Sequence, residues 1–180
     1  MALEGAGPPL CYAELALRAA TLRDELARAG VAPGEPVALL SRARGHDEAV
    51  ALAGVIAASA VAVPLEAAAP AARLAAVARA RGVRLLVGDA GAAELAPGLG
   101  RDALALDAGG LVTARPTALP GGARPPTEAP DPSGAPLACI LHTSGSTGTP
   151  KAVPVTRAGL DAFTAFMLEL TGLGPADRVL

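Results

Sequence analysis

The stretch Leu141–Val155, LHTSGSTGTPKAVPV, decides how the rest of the chain is interpreted. It joins an apolar run, Leu137–Leu141, to a second short apolar run, Ala152–Val155, through small and hydroxylated residues. Gly145 and Gly148 permit backbone conformations that other residues avoid, and they let the main chain approach a ligand closely. Successive N–H groups in such a segment form a concave nest for an anion. The segment therefore predicts a binding site for an anionic ligand.

The positive charge at the end of this segment strengthens that prediction. Lys151 is the single lysine among 15 basic side chains, and its ammonium is a compact charge with three donors. Taken alone, Lys151 would be a solvated surface residue, and the segment could be a flexible Gly/Ser hairpin. Flexible linkers of that composition do not usually end in Pro-Lys between two apolar runs, so the ligand-binding interpretation is preferred.

Composition narrows the class of protein. A chain of 180 residues suits one domain or part of a larger one, and 52% hydrophobic residues with only 2% aromatic ones predict an aliphatic core. The net charge of −2 and the scattered arginines give no reason to expect nucleic acid or an acidic membrane surface as a partner. No signal peptide or membrane span is predicted, because the uncharged run 49–65 is interrupted by Ser59 and Pro64. A cytoplasmic location is expected.

No metal site is predicted. Cys11 and Cys139 lie far apart and match no metal-ligand spacing, so both are expected to be structural. His46 and His142 each stand alone and are expected to be packing residues. Asp89 follows an apolar run and is expected in a turn, where aspartate is common.

Helix and strand patterns alternate along the chain. Apolar residues recurring at three- and four-residue steps predict helices over about 12–29, 47–58, 71–81, 92–95 and 157–170. Short apolar runs predict strands over 37–40, 61–65, 83–87, 103–106, 137–142 and 151–155, with the start of another at 177–180. This alternation is typical of an α/β layered fold with a largely parallel sheet and flanking helices. A Pro/Gly-rich stretch at about 109–136 is expected to be a loop within residues 1–180, which form one domain or part of a larger one.

The helical periodicity also predicts which side chains are buried. Thr156 is the expected N-cap of the last helix, whose buried stripe should hold Leu160, Phe163, Met167 and Leu170, with Phe166 beside it. The solvated face of the first helix should hold Arg18, Arg23, Asp24, Glu25 and Arg28. The arginines of the third helix should also be in solvent: Arg73, Arg79 and Arg81.

Two common phosphate-binding motifs do not fit the loop. A P-loop needs adjacent Gly and Lys followed by Ser or Thr, whereas Gly148 is separated from Lys151 by two residues and Ala152 follows. A dinucleotide fingerprint needs Gly-x-Gly, which the loop lacks. A Walker-type NTPase and a dinucleotide-binding fold are therefore not expected.

The string TSGSTGTPK, Thr143–Lys151, instead resembles the phosphate-loop signature [ST]-S-G-[ST]-[ST]-G-x-P-K of the adenylate-forming (AMP-binding) superfamily. That superfamily contains acyl-CoA synthetases, nonribosomal peptide synthetase adenylation domains and luciferases. Further segments are similar to the family pattern, namely Tyr12–Leu15, Val31–Leu40, Ala51–Leu74 and Leu173–Leu180. The departures are Ala152 in place of a glycine, His142 where amino-acid-activating members carry tyrosine, and Ala58-Ser59 in place of Ala-Gly.

The resemblance implies an ATP phosphate site formed by Thr143, Ser144, Gly145, Ser146, Thr147, Gly148 and Lys151. It implies the N-terminal part of the large domain of the adenylate-forming fold, with the Mg²⁺ ligand and the rest of the catalytic set beyond Leu180. The implied parent enzyme is a ligase that uses ATP and Mg²⁺. It joins a small carboxylic or amino acid to AMP and passes it to the thiol of CoA or of a phosphopantetheinyl carrier protein.

Several alternatives stay open. Acyl-CoA synthetase and peptide-synthetase adenylation domain are not separated by these residues, because the acceptor pocket is expected beyond Leu180. On either interpretation the 180 residues are expected to be inactive alone. The other two hypotheses are a non-catalytic truncated product and a stand-alone nucleotide-binding module.

Overall fold

The fold was analysed on a computed structural model, which describes residues 3–5, 7–40, 45–99, 101–107, 110–115, 134–143, 151–174 and 177. The helices are α1 (Tyr12–Arg28), α2 (His46–Ala57), α3 (Ala71–Ala80), α4 (Ala90–Leu95) and α5 (Arg157–Thr171), with a 3₁₀ turn at Pro97–Leu99. The strands are β1 (Leu3–Gly5), β2 (Gly7–Leu10), β3 (Pro36–Leu40), β4 (Val61–Pro64), β5 (Leu85–Gly88), β6 (Asp102–Leu106), β7 (Val112–Ala114), β8 (Leu137–Thr143) and β9 (Lys151–Thr156).

Seven strands form one mixed, mostly parallel sheet in the order β7-β6-β5-β3-β4-β8-β9. The five central strands run parallel, and each edge is closed by an antiparallel strand, β7 on β6 and β9 on β8. β1 and β2 form a separate antiparallel pair. The predicted α/β layered fold is confirmed.

The core lies in two aliphatic layers, one on each face of the sheet. Alternate residues of a strand point to opposite faces, so Val37 and Leu39 of β3 pack with α1 and α2, whereas Ala38 and Leu40 pack on the side of α3 and α4. α1 presents Leu22 and Leu26 to the first layer. The low aromatic content of the sequence is therefore matched by a core of leucine, valine and alanine.

Two predictions about the chain between β6 and β8 are revised or left open. The stretch 109–136 is not wholly irregular, because Val112–Ala114 pairs with β6 as an antiparallel edge strand. Residues 116–133, which make up most of the expected loop, lie outside the described residues. So does the predicted strand at 177–180, apart from Asp177.

The prediction that Glu25 lies on a solvated face of α1 is wrong. Its side chain is buried because two arginines neutralise it: Arg115, just after β7, donates to both carboxylate oxygens at 2.7 Å, and Arg28 forms a second ion pair. The hydrogen bonds from Arg115 and Arg28 lower the pKa of Glu25 to about 2. This ion pair joins α1 to the sheet edge across 90 positions of sequence.

We predict that Arg115→Ala destabilises the fold at neutral pH, because a buried carboxylate then loses its two-point partner. The pKa of Glu25 is about 2 in the folded chain against an ordinary 4.5, so its contribution is complete above 4.5 and is lost as the pH falls toward 2. The decrease in urea midpoint caused by Arg115→Ala should therefore shrink over that range. Arg23→Ala, which breaks an exposed pair with Asp24, is the control and should change the midpoint little. Equal effects of the two variants would contradict the prediction.

α5 has well-formed ends. Thr156 is the N-cap, as predicted, and its hydroxyl accepts a hydrogen bond from the N–H of Gly159 at 3.0 Å. Gly172 closes the helix in a left-handed conformation with φ +65°. The Arg157 guanidinium donates to the carbonyls of Ile56 at 3.0 Å and Ala60 at 3.2 Å, which ties the first turn of α5 to the end of α2.

The predicted buried stripe of α5 is wrong. No residue of α5 is buried, and Phe163, Phe166 and Leu170 are 60%, 55% and 66% exposed. Leu160 and Met167 are only partly covered. The periodicity correctly identifies an apolar face, but the described residues leave most of it uncovered.

We predict that Phe163→Ala changes the free energy of unfolding by no more than about 0.5 kcal/mol, as expected of an exposed site. Leu22→Ala, at a fully buried position of α1, should cost about 2–5 kcal/mol. Urea unfolding of both variants measures the difference. A cost of several kcal/mol for Phe163→Ala would mean that the face of α5 is covered in solution.

Candidate functional site: the hairpin of strands β8 and β9

The predicted phosphate motif begins and ends on a β-hairpin. β8 and β9 pair antiparallel in the register Leu141↔Val153, His142↔Ala152 and Thr143↔Lys151. The last of these pairs joins the first and last residues of the TSGSTGTPK motif. The intervening segment 144–150, with predicted site residues Ser144, Gly145, Ser146, Thr147 and Gly148, lies outside the described residues.

Thr143 and Lys151 are both exposed and directly opposite each other. Residues opposed in an antiparallel pair have Cβ atoms roughly 4.5–5.5 Å apart, so one ligand can contact both side chains. Within the described part of the chain Lys151 forms no ion pair. The structure therefore brings together two of the seven predicted site residues, a hydroxyl and a cation.

The hairpin is attached at the carboxyl end of the parallel strands. β8 pairs parallel with β4 through Ala62↔Cys139, so Thr143 comes at the edge of the sheet where parallel strands end. Ligands of open α/β sheets bind outside the carboxyl ends of the strands. The position of the motif in the fold thus agrees with a ligand-binding role.

His142 lies one residue before the motif and on the α3 side of the sheet. Its ring is half-buried, and neither ring nitrogen has a hydrogen-bond partner in the described ranges. Burial lowers the pKa of His142, and the positive charges of Arg81 and Arg73 lower it further. The packing role expected for His142 agrees with its place in the strand, but packing does not account for its unpaired nitrogens.

A cleft lies between the ends of β3 and β5. From β3 the chain continues to β4 on one side in the sheet, and from β5 it continues to β6 on the other side. The cleft is lined by aliphatic residues of these strands together with Asp47 and Glu48 of α2. The described lining therefore holds two carboxylates and is otherwise apolar, which does not complement a phosphate.

Among the described residues, no group of three or more His, Cys, Asp or Glu side chains lies close enough to hold a metal ion. Both cysteines are free, and burial raises the pKa of the Cys139 thiol. No helix in the described ranges is long and apolar enough to span a bilayer.

The site and fold have counterparts among known proteins. Residues 2–180 match the protein family described as AMP-binding enzyme. The chain belongs to this family of AMP-binding enzymes.

Its relatives are large synthetases. The chain is 35% identical over 179 residues to phenyloxazoline synthase MbtB of Mycobacterium sp. (strain MCS), covering 99% of this chain and 14% of that protein. It is 36% identical over 167 residues to pyochelin synthetase PchE of Pseudomonas aeruginosa, covering 93% of this chain and 10% of PchE. The chain thus spans about a seventh or less of these relatives.

Solved structures share the fold. The ATP-bound crystal structure of MatB from Rhodopseudomonas palustris superimposes with a TM-score of 0.72 at 25% identity, covering 95% of this chain and 34% of MatB. The nonribosomal peptide synthetase FmoA3 superimposes with a TM-score of 0.68 at 25% identity, covering 96% of this chain and 17% of that one. The chain therefore corresponds to about a third of a structure such as MatB.

One departure from the family pattern now has a structural consequence. Ser59, which stands where the resemblance predicts glycine, has φ +58° and is the one non-glycine residue with positive φ in the described ranges. Its carbonyl accepts a hydrogen bond from the N–H of Gly34 at 2.8 Å. The turn before β4 therefore requires the left-handed conformation that glycine adopts without strain.

Proposed function

We propose that this chain is the N-terminal part of an ATP-dependent carboxylate-activating ligase in which residues 143–151 bind the phosphates of ATP. The observation that carries the proposal is the Thr143↔Lys151 pair, which brings together the first and last residues of the motif at the carboxyl ends of the parallel strands. Membership of the AMP-binding family and the similarity to an ATP-bound structure support it.

The reaction of the complete enzyme follows from this assignment. A carboxylate oxygen of the substrate attacks the α-phosphorus of ATP, the bond from that phosphorus to the bridging oxygen of pyrophosphate breaks, and acyl-AMP and pyrophosphate form. A thiolate then attacks the acyl carbon, and AMP leaves. Negative charge grows on pyrophosphate in the first step, so preorganised donors around the β- and γ-phosphates lower the barrier.

Each part of the motif has a role in that step. Lys151 supplies the positive charge, and the hydroxyls of Thr143, Ser144, Ser146 and Thr147 together with backbone N–H groups supply hydrogen bonds. Gly145 and Gly148 let the main chain come close to the phosphates. The ligand for Mg²⁺ is assigned to a segment of the complete enzyme beyond Leu180, as the resemblance to the adenylate-forming family implies.

The substrate is a small carboxylic or amino acid, and the acceptor is a thiol of CoA or of a phosphopantetheinyl carrier protein. The relatives MbtB and PchE, with a probable nonribosomal peptide synthetase from Salinispora arenicola at 35% identity, favour the carrier-protein acceptor. The structural neighbours include CoA synthetases, which keeps CoA as the second candidate.

Replacing Lys151 by Ala should weaken ATP binding to the chain about tenfold or more, because a charged hydrogen bond contributes about 1.5–3 kcal/mol. Isothermal titration with ATP measures this change. Arg79→Ala removes one positive charge from an exposed position of α3 and is the control. Unchanged affinity in Lys151→Ala would refute the phosphate role, and an equal loss in both variants would reduce it to a general charge effect.

The 180-residue chain should not catalyse carboxylate-dependent pyrophosphate exchange, because the remainder of the catalytic set lies in segments it does not contain. The assay follows labelled pyrophosphate into ATP with a mixture of amino and carboxylic acids. Exchange by the chain alone would contradict the partial-domain interpretation. A chain that neither binds ATP nor unfolds cooperatively would instead support a non-catalytic truncated product.

A further inference from the structure

His142 is a buried polar group that the proposed reaction does not use. It is the last residue of β8 but one, and it is paired with Ala152 of β9. The residue is half-buried, and both of its ring nitrogens are out of contact with solvent. Neither nitrogen has a hydrogen-bond partner among the described residues. Buried polar groups are nearly always hydrogen-bonded, so this ring is held in an unfavourable place.

The surroundings of the ring suit only its neutral form. A protonated imidazole carries a positive charge and two N–H donors, and a charge buried without a partner is costly. Burial accordingly lowers the pKa of His142 below its ordinary value of 6.5, and the charges of Arg81 and Arg73 lower it further. The closed hairpin therefore opposes protonation mainly by keeping solvent away from the ring nitrogens.

α3 and the segment after β4 bring charged groups to the ring. Arg73 of α3 and Glu66 after β4 line a small cavity that His142 also borders. Both are exposed and opposite in sign, so solvent screens them and their effects on the ring partly cancel. Arg81, the C-cap of α3, is half-buried, and its positive charge also acts on the ring. Lys151 of β9 belongs to the next pair along the hairpin, where strand alternation turns side chains to the other face of the sheet.

The end of the hairpin that holds His142 has little support from the rest of the sheet. β8 is in register with β4 at Ala62↔Cys139, and β4 ends two residues later at Pro64, which has no N–H to donate. His142 lies three residues after Cys139 and is therefore beyond the end of β4. β9, on the other side, is the edge strand of the described sheet. A two-stranded ribbon is only marginally stable by itself, so this end can open without unfolding the sheet.

We propose that His142 is a pH-sensitive switch: the end of the hairpin closes when the ring is neutral and opens when the ring is protonated. Opening separates Thr143 from Lys151, because these residues form the next pair along the hairpin. The switch itself depends only on the strands and the ring. Its effect on ATP rests on the proposed function, because a ligand that needs the closed hairpin binds in proportion to the closed fraction.

The direction of the pH dependence follows from the pKa of the ring in the two states. In the open hairpin the ring meets solvent and takes its ordinary pKa of 6.5, whereas in the closed hairpin its pKa is lower. Closure is therefore fully favoured above the pKa of the open state and is weakened as the pH falls below it. For one such ring, linkage limits the gain in opening between roughly pH 7.5 and roughly pH 5.5 to about tenfold.

Hydrogen exchange of the backbone amides tests the switch in the 180-residue chain, without ATP, at these two pH values. Protection factors, which correct for the intrinsic pH dependence of exchange, are compared between the paired residues 141–143 and 151–153 and the central strand β3. We expect the protection of the hairpin amides to fall severalfold at the lower pH, by up to about tenfold. It should stay below the protection of β3, because the opening is local.

Matched variants test whether the ring of His142 is responsible. His142→Phe keeps an aromatic ring that cannot be protonated, so its hairpin amides should show no fall in protection between the two pH values. His142→Leu provides a second test if His142→Phe does not fold, and a urea melt of each variant checks the fold. His46→Leu, at the other histidine of the chain, is the control and should keep the fall in protection.

A second measurement separates the switch from the proposed function. ATP bound to the motif holds the hairpin closed, so ATP at about 100 times its dissociation constant should raise hairpin protection by up to about 100-fold at the higher pH. Hairpin amides that respond to pH but not to ATP would support the switch and refute ATP binding at the motif.

Three results overturn the proposal. The first is hairpin protection that is the same at the two pH values. The second is an equal fall in His142→Phe and in the unmodified chain. The third is hairpin protection equal to that of β3 at the lower pH, which would make the opening a global unfolding.

Discussion

The parallel pairing of β8 with β4 is the contact on which the candidate site depends. It joins Ala62 to Cys139, so the sheet takes up β8 after a long excursion of the chain through β5, β6 and β7. Pairing over such a separation carries a large loop-closure entropy, which the buried Ala138 and Ile140 of β8 help to offset. A second attachment, from Arg157 to the carbonyls of Ile56 and Ala60, fixes the far end of the hairpin. Main-chain pairing with β4 thus holds β8, the strand that leads into the motif. The Arg157 guanidinium holds the end of β9, the strand that leaves it.

This arrangement gives the two faces of the hairpin different chemistry. On the α3 face, Ala138 and Ile140 are buried and His142 is half-buried. On the other face, Leu141 and its partner Val153 stay 44% and 42% exposed. Strand alternation therefore turns His142 toward α3 and the first residue of the motif, Thr143, toward the opposite face.

The elements can be predicted from the sequence because their signals are local. Periodicity locates all five helices, and Thr156 has the side chain of an N-cap. The alternation of strands and helices indicates a largely parallel sheet. The errors concern contacts made across the fold. Glu25 belongs to a polar helix face by spacing, but it is buried because Arg115 arrives from the sheet edge 90 positions later. The arginines of α3 and its C-cap look equivalent in sequence; Arg73 and Arg79 are exposed as predicted, whereas Arg81 is half-buried. No periodic pattern reports such partners.

The error at α5 has a different physical cause. A helix with caps at both ends and two phenylalanines on its surface carries the sequence pattern of a core element, and its apolar face is present as the pattern predicts. Monomeric proteins rarely leave a large apolar patch uncovered, and such patches mark interaction surfaces. The chain also covers only 34% of MatB, although 95% of its own length is matched. The apolar face of α5 therefore has the character of an interaction surface. Helical periodicity identifies such a face from the spacing of its own residues, but it carries no information about which segment packs against it.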